Sequence, residues 1–257
     1  MSAPAAELQP RVLAWFAEHG RALPWRRTRD PYAILVSEVM LQQTQVARVV
    51  DRWTAWIERW PTAAALAAAT RADVLSAWVG LGYNGRALRL REACAMVARD
   101  GWPQDLTVLP GVGRYTADAV AALAFGVPVV QVDVNVARVL DRTGWRPPDA
   151  PHPRLGEALM ELGALVCRAR SADCGACPLS AGCASAHAVV FPERARRPRE
   201  RFEDSDRWVR GRIVAALAGA EALPDGIDPG RLARAEAALV RDGLVVRDRA
   251  GRLALPR

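Results

Sequence analysis

The sequence predicts an all-α protein that ends in a small unit of two helices and a hairpin. Apolar residues recur at spacings of three and four over most of the chain, and glycine or proline separates these segments. The alternation of apolar and polar residues that is typical of strands occurs only near the end. A chain of 257 residues can form two or three compact units.

The predicted elements follow one another with short connections. Helices are predicted over 8–18, 31–49, 51–59, 62–68, 71–78, 85–99, 114–124, 133–143 and 154–168. A basic stretch with prolines, Phe191 to Arg201, predicts a linker. Beyond it we expect helices over Trp208–Ala218 and Pro229–Asp242, then strands over Leu244–Arg247 and Arg252–Leu255 around Gly251. Such an arrangement is typical of a winged-helix module.

Charge and composition narrow the class of partner. The formal net charge is +7 and the pI is about 9.9, so we expect a polyanion as partner. The sequence shows neither a signal peptide nor an apolar run of membrane-spanning length. We therefore expect a cytoplasmic protein without membrane association. All 35 basic residues are arginine, because the sequence contains no lysine.

Four cysteines lie close together in the sequence, with gaps of six, two and five residues: Cys167, Cys174, Cys177 and Cys183. Nearby glycines and a proline allow the backbone to wrap around a common centre. Four thiolates without a histidine among them favour a [4Fe-4S] cluster. A zinc site is the alternative, and unligated structural cysteines come last. The fifth cysteine, Cys94, lies in an alanine-rich helical pattern and is predicted to be a buried, inert thiol.

A glycine-rich turn separates two predicted helices at Leu109, Pro110, Gly111, Val112 and Gly113, followed by Arg114. Two glycines relax the backbone, so that N–H groups at a helix start can face a phosphate without obstruction. A helix-hairpin-helix binds the DNA backbone in this way, without reading sequence. Taken alone, the pattern could also be only a tight connection.

Seven motifs occur in a fixed order along the chain. They are Leu23-Pro24-Trp25-Arg26, Ser37-Glu38-Val39-Met40-Leu41-Gln42-Gln43-Thr44, Gly80-Leu81-Gly82-Tyr83, the glycine-rich turn, Val132-Asp133-Val134-Asn135, Glu161-Leu162-Gly163-Ala164 and the cysteine loop. In this order they resemble the helix-hairpin-helix DNA glycosylases, and within them the adenine DNA glycosylase (MutY) branch. The resemblance implies base flipping from double-stranded DNA that contains a mispair or a damaged base, by a monomeric protein bound to the nucleoid.

The resemblance also implies a two-domain architecture. The expected units are an iron–sulfur cluster helical domain (1–27 plus 130–190) and a six-helix barrel domain with the helix-hairpin-helix (28–129). A linker (191–205) and the winged-helix-like C-terminal module (206–257) complete the chain.

Breaking an N-glycosidic bond requires a proton on the departing base and a negative group near the sugar cation, and two carboxylates can supply these. Glu38 lies in an apolar helical segment, where desolvation would keep it protonated as an acid. Asp133 precedes a helix, whose dipole and free N–H groups favour the ionised form. The resemblance assigns Glu38 the protonation of adenine N7 and Asp133 the stabilisation of the sugar cation. Tyr115 and Asn135 are expected to orient Asp133.

The missing lysine separates two branches of the family. Relatives that resemble endonuclease III place a Schiff-base lysine directly after the hairpin, where this chain has Tyr115. We therefore expect base excision without efficient strand cleavage.

The adenine pocket implied by the resemblance comprises Arg21, Leu23, Trp25, Arg26 and Glu157. Its residue types can stack on a purine and bond its edge, and a carboxylate can accept from the exocyclic amine. Gln42 and Gln43 resemble the residues that probe the widowed base.

Two differences from typical members of the family leave open which base opposite the adenine is preferred. Typical members carry a second tyrosine where this chain has Asn84, and a Nudix-like C-terminal domain where it has the short module. Two other functions are therefore alternatives: a mismatch glycosylase for thymine or uracil opposite guanine, and a non-catalytic protein that binds DNA lesions.

Overall fold

The computed structural model describes residues 5–188, 191 and 201–257. By contacts the chain divides into two compact units. Unit 1 comprises Met1–Glu38 and Val112–Ala195, and unit 2 comprises Val39–Gly111 and Arg196–Arg257. The domain boundaries expected from the sequence stay a prediction. Most of the predicted linker lies outside the described residues.

The described part of the chain is mostly helical. Its α-helices are α1 (Ala5–His19), α2 (Pro31–Leu41), α3 (Val46–Arg59), α4 (Ala63–Ala68), α5 (Arg71–Trp78), α6 (Gly85–Asp100), α7 (Arg114–Phe125), α8 (Val134–Thr143), α9 (Leu155–Leu165), α10 (Asp206–Leu217) and α11 (Pro229–Arg241). Short 3-10 helices cover Pro24–Arg27, Leu106–Val108, Ser180–Gly182 and Phe202–Asp204. Two antiparallel pairs of strands complete it, β1 (Cys167–Arg168) with β2 (Ser171–Ala172), and β3 (Val246–Arg247) with β4 (Leu253–Ala254). The predicted all-α class is confirmed.

Unit 1 is built around α9. This helix packs against α1 and α8, and the apolar side chains of the three helices form one core. Leu155, Leu159 and Leu162 of α9 are completely buried there, at the spacing of three and four that places residues on one helical face. The core therefore fixes the position of α8 and of the residues at its N-terminus.

Unit 2 has a tryptophan-rich core. Trp56 contacts Trp60 and Trp78 edge to face, with ring centroids 4.7 and 5.4 Å apart. Helix α6 packs against α4 and α5. Thr62 and Thr70 cap α4 and α5, because each side chain accepts a hydrogen bond from a backbone N–H in the first turn.

The C-terminal helices and hairpin belong to unit 2. Helices α10 and α11 pack against each other, and α10 also contacts α5. Arg71 of α5 donates a hydrogen bond to the carbonyl of Gly243, with an N–O distance of 3.2 Å. The predicted terminal hairpin is present, with Val246 opposite Ala254.

Two predicted helices differ from the structure. The helix predicted over 31–49 is broken at residues 42–45, where Gln43 has a positive φ of 54°. The helix predicted over 154–168 ends at Leu165, and Cys167 begins a short strand that the sequence did not predict. None of the helices in the described ranges combines the length and apolarity that a membrane span requires.

Candidate active site

Glu38 lies in the most apolar helix of the site. Pro31 begins α2, and the Asp30 side chain accepts a hydrogen bond from the backbone N–H of Tyr32 at 3.1 Å. All residues from Tyr32 to Met40 are buried, and Glu38 retains 8% exposure. Burial, followed by the negative charge of Glu157, raises the pKa of the Glu38 carboxyl to about 7. The protonated carboxyl is therefore populated near neutral pH.

Tyr115 is the direct partner of Glu38. It lies in the first turn of α7, and its hydroxyl is hydrogen-bonded to the Glu38 carboxyl. The hydroxyl also contacts the Met160 sulfur at 3.9 Å. Burial and the charge of Glu38 raise the pKa of Tyr115, so the phenol stays neutral and acts as a donor. The Tyr115 hydroxyl is bonded to Glu38 and not to Asp133. That Tyr115 orients Asp133 therefore stays a prediction.

Asp133 is the N-cap of α8. One carboxylate oxygen accepts from the backbone N–H groups of Asn135 and Val136, both at 2.8 Å. The other accepts from the Asn135 side-chain amide at 2.7 Å. These three donors fix the orientation of the carboxylate at the helix N-terminus. The cap and a catalytic role are compatible, since the same bonds that cap the helix also orient the carboxylate.

Asn135 is also hydrogen-bonded to Arg138. Its carbonyl oxygen accepts from Arg138 at 2.7 Å, and Arg138 also donates to the backbone carbonyls of Gly163 and Cys167. A Cβ atom added at Gly163 would lie 2.8 Å from the Asn135 Cβ, too close for any side chain. The glycine therefore lets α9 approach α8 directly behind the Asp133–Asn135 pair.

A buried network of ion pairs lies in the same unit. Arg26 donates to Glu157 at 2.8 Å and to Glu161 at 3.0 Å. Arg21 donates to Glu161 at 2.7 Å, and Arg154 donates to Glu157 at 3.0 Å. Arg26 and both glutamates are almost fully buried, whereas Arg21 and Arg154 are partly exposed. Three of the predicted pocket residues are thus brought together: Arg21, Arg26 and Glu157.

Glu161 is a member of this network that the sequence analysis did not select as a site residue. Its burial raises the pKa, but the hydrogen bonds from Arg21 and Arg26 together outweigh burial and hold the pKa down to about 2. The spacing of the two glutamates in the sequence indicates that they lie close together. Glu157 and Glu161 are four residues apart on one helix and therefore share a face.

The other two predicted pocket residues are buried. Trp25 lies in the short 3-10 helix with 7% exposure, and Leu23 just before it retains 8%. Little of the Trp25 ring or of the Leu23 side chain is accessible to a ligand in this conformation. Their contact with a base stays a prediction.

The glycine-rich turn leads directly into α7. Leu109 and Val112 are buried, and Gly111 has a positive φ of 78°. Gly113 is the N-cap of α7, and a Cβ atom added there would meet no heavy atom within 4 Å. Arg114 is exposed and pairs with Asp118 at 3.0 Å. The turn therefore presents an open helix N-terminus, the geometry that suits a phosphate.

Gln42 and Gln43 follow α2 in unit 2, and the Gln43 side chain is exposed. Their backbone is held by Arg86, a buried residue that the sequence analysis missed. Arg86 donates to the carbonyls of Val39, Met40 and Gln42, and also to those of Leu81 and Gly82 and to the Thr44 hydroxyl. Burial lowers the pKa of Arg86 to about 10, so it remains charged.

The four clustered cysteines line one cavity in unit 1 together with apolar side chains of α8 and α9. Burial, followed by the charges of the other three cysteines, raises the pKa of the Cys177 thiol to about 11. Arg142 approaches the Cys167 sulfur at 3.4 Å. In the part of the chain that the structure describes, no three such side chains are arranged to hold a single metal ion. Cys94 is 1% exposed, as predicted, and burial raises its pKa to about 12.

Comparison with known proteins identifies the family of the chain. Residues 36–164 match the family described as HhH-GPD superfamily base excision DNA repair protein. A Mycolicibacterium smegmatis protein named adenine DNA glycosylase is 43% identical over 277 residues, covering 95% of this chain and 94% of the relative. The human protein of that name is 41% identical over 207 residues, 67% of this chain and 38% of the relative.

Two solved structures are similar as well. A thermostable thymine-DNA glycosylase has a TM-score of 0.65 and 26% identity, covering 72% of this chain and 97% of that one. Endonuclease III in a trapped covalent complex with DNA has a TM-score of 0.60 and 25% identity, covering 71% and 95%. The family match and the relatives aligned over nearly their full length show that the chain belongs to the HhH-GPD superfamily of base excision DNA repair proteins.

Proposed function

We propose that the protein is a monofunctional DNA glycosylase that removes adenine mispaired with 8-oxoguanine or guanine in double-stranded DNA. The observation that carries the proposal is the buried Glu38, whose pKa is about 7 and whose carboxyl is bonded to Tyr115. The relatives named adenine DNA glycosylase, aligned over nearly the whole chain, support the choice of base.

Glu38 is the proposed acid. Adenine leaves poorly as an anion, so a proton on N7 lowers the barrier to breaking the bond between N9 and C1′. The electron pair of that bond goes to the departing base, and the sugar becomes an oxocarbenium ion. Because the pKa of Glu38 is about 7, the protonated carboxyl that transfers the proton is populated near neutral pH.

Asp133 is the proposed stabiliser of the cation. Its three hydrogen-bond donors fix the orientation of the carboxylate before the reaction starts. Arg138 and Gly163 hold Asn135 in turn, so the carboxylate cannot rotate freely. Water then adds to C1′, and a carboxylate of the site takes up its proton.

The ion-pair network is the proposed edge of the adenine pocket. The carboxylate oxygens of Glu157 are each bonded to one arginine and keep a second lone pair for an exocyclic amine. Arg21 and Arg26 supply donors for ring nitrogens. Because thymine and uracil carry a carbonyl in place of that amine, two carboxylates at the pocket edge disfavour them.

The absence of lysine supports a purely hydrolytic enzyme. Tyr115 occupies the position after the hairpin, and its neutral phenol donates to Glu38 instead of attacking the sugar. Only the N-terminal amine could form a Schiff base. The DNA product should therefore keep an intact abasic site.

The four cysteines Cys167, Cys174, Cys177 and Cys183 fit a [4Fe-4S] cluster, because all four line one cavity with an apolar back wall. The bound cluster would supply a covalent tie across the cysteine loop rather than a step of the reaction. Arg142 and Arg138 already hold this loop to α8 through backbone carbonyls. The hairpin residues Gly111, Gly113 and Arg114 would bind DNA phosphates, and Gln42 and Gln43 would probe the widowed base.

The two other candidate functions are less well supported. A thymine or uracil glycosylase shares the fold, but its named structural relative is only 26% identical, against 43% for adenine glycosylases. A non-catalytic lesion-binding protein leaves the buried Glu38 without a role, since burying an acid is costly.

Single-turnover base release tests the proposal. The duplexes carry adenine opposite 8-oxoguanine, guanine or cytosine, and thymine or uracil opposite guanine. We expect release of free adenine, and a DNA product that breaks only after alkaline treatment. Release of thymine or uracil alone would overturn the assignment, and strand breaks without alkali would overturn the hydrolytic mechanism.

A further inference from the structure

Gln131 lies two residues before Asp133 and is buried in unit 1. Its exposed fraction is 1%, whereas Val132 and Val134, on either side of Asp133, are 51% and 77% exposed. The Asp133 backbone is extended, with φ −98° and ψ −176°. Because successive side chains of an extended segment point to opposite sides, Gln131 and Asp133 point to one side and the two valines to the other.

The Gln131 amide occupies the space of a missing side chain on α9. A Cβ atom added at Gly156 would lie 2.2 Å from the Gln131 Oε1 atom and 2.5 Å from its Cδ atom. Heavy atoms in non-bonded contact lie about 3.5 Å apart, so a methyl group at Gly156 would displace Gln131 by about 1 Å or more. Gly156 directly precedes Glu157, which forms the proposed edge of the adenine pocket.

A second glycine of α9 contacts the other end of the same segment. A Cβ atom added at Gly163 would lie 2.8 Å from the Asn135 Cβ atom and 3.0 Å from the Asn135 carbonyl oxygen. Gly156 and Gly163 are seven residues apart, close to two helical turns, and therefore lie on one face of α9. The segment 131–135 is thus in close contact with this face at both ends, and Asp133 lies between the two contacts.

Helix α9 also carries the two carboxylates of the ion-pair network. Glu157 follows Gly156, and Glu161 lies two residues before Gly163. The leucines of α9 are completely buried, so close packing in the core of unit 1 holds the helix. One rigid element therefore sets the position of both carboxylates and of the segment that carries Asp133.

The contact with α9 depends on the shape of Gln131 rather than on its polarity. Among the described residues, none donates a hydrogen bond to the Gln131 side-chain oxygen. A buried polar atom without a partner lowers the free energy of unfolding. An apolar side chain of the same length should therefore make the contact equally well and stabilise the fold.

We propose that Gln131 is a positioning residue, which through its contact with Gly156 fixes the Asp133 carboxylate relative to Glu157. The proposal rests on the proposed glycosylase function, in which Asp133 stabilises the sugar cation and Glu157 bonds the base. Base and sugar belong to one nucleotide, so the spacing of the two carboxylates must match it. In a catalytic site a misplacement of about 1 Å can slow the reaction about 100-fold.

The test measures single-turnover adenine release at saturating protein, on a duplex with adenine opposite 8-oxoguanine. Gly156→Ala should slow release by about 100-fold, because the added methyl group displaces Gln131 and with it Asp133. The double variant Gly156→Ala/Gln131→Ala should regain about tenfold or more of that loss, since the shortened side chain leaves room for the methyl group. Affinity for the duplex should stay unchanged in both variants, because the displacement affects the reaction and not the binding surface.

Two further substitutions serve as controls. Gly211→Ala also adds a methyl group to a helix, but at a place where no heavy atom lies within 4 Å, so the rate should not change. Gln131→Met keeps the length of the side chain without the unpaired oxygen. We expect it to retain the rate and to unfold at a higher urea concentration, whereas Gln131→Ala alone should slow release by about tenfold, less than a full displacement would.

Equal rates of Gly156→Ala and the unaltered protein would overturn the inference, as would a double variant no faster than Gly156→Ala. Urea titrations show whether each variant is folded in the assay. If Gly156→Ala is unfolded, Gln131→Ala and Gln131→Met decide the question, and equal rates of these two variants would overturn the inference. A failure of the unaltered protein to release adenine would instead overturn the proposed function.

Discussion

The Tyr115 hydroxyl and the Glu38 carboxyl share a hydrogen bond inside a buried site. Burial raises the pKa of both groups, so the Tyr115 phenol stays neutral near neutral pH, whereas the Glu38 carboxyl exchanges its proton in that range. The same bond lowers the pKa of Glu38 in part, which holds it at about 7 rather than higher. A pKa near the working pH suits a general acid, because the carboxyl is protonated in part of the molecules and still donates its proton readily.

Replacing Glu38 by glutamine removes the acid and keeps the shape of the side chain. We expect the single-turnover rate of adenine release to fall by about 100- to 10,000-fold, the usual contribution of a general acid. Affinity for the mispaired duplex should change little. Glu18→Gln is the control, because the Glu18 side chain is 78% exposed in the same unit. Retention of a tenth of the rate would remove Glu38 from the mechanism.

Two substitutions of Asp133 separate its capping role from its chemistry. Asparagine caps helices about as well as aspartate, whereas alanine costs about 0.5–2 kcal/mol. We expect Asp133→Asn to keep the free energy of unfolding and to lose adenine release, and Asp133→Ala to lose both. Denaturant titrations and single-turnover assays measure the two effects. An active Asp133→Asn variant would reduce Asp133 to a helix cap.

Much of this site follows from local sequence. The N-cap at Asp133 is predictable because the residue directly precedes an apolar periodic segment. The raised pKa of Glu38 follows from its neighbours in the helix. For Asp133 the determining residues lie within a few positions in the chain, whereas the pKa of Glu38 also depends on the distant Glu157 and Tyr115.

Features that depend on distant residues were not predictable. The break after α2 is fixed by Arg86, which donates to the carbonyl of Gln42 from 44 residues away. The pairing of Glu161 with Arg21 spans 140 residues. Because the apolar periodicity does not depend on such contacts, it predicts a continuous helix over 31–49 and does not indicate the pairing of Glu161.

Two glycines of the hairpin should respond differently to alanine. A Cβ atom at Gly113 would meet nothing within 4 Å and the backbone φ is −84°, so Gly113→Ala should leave stability unchanged. It should nonetheless weaken DNA binding, because the methyl group would face a phosphate. Gly111→Ala should destabilise by about 1 kcal/mol or more, since its φ is 78° and Arg89 lies 3.0 Å from the added atom. Unaltered DNA affinity in Gly113→Ala would argue against the hairpin contact.

Glu161 should contribute to stability at neutral pH. Its pKa is about 2 in the folded protein and lies near the usual glutamate value in the unfolded chain, so the contribution exists above about pH 5. It is lost progressively as the pH falls toward 2. Glu161→Gln leaves the buried Arg26 with one carboxylate fewer, and we expect a loss of about 3 kcal/mol at pH 7. Urea titrations should show the difference between the two proteins shrinking at pH 3, and a constant difference would contradict the assignment.

The pH dependence of adenine release tests the central claim most directly. Single-turnover rates on a duplex with adenine opposite 8-oxoguanine would be measured from pH 5 to pH 9. Because the Glu38 carboxyl must carry the proton and its pKa is about 7, the rate should decline above about pH 7 by tenfold per pH unit. A rate that stays constant up to pH 9 would contradict the role of Glu38 as the acid.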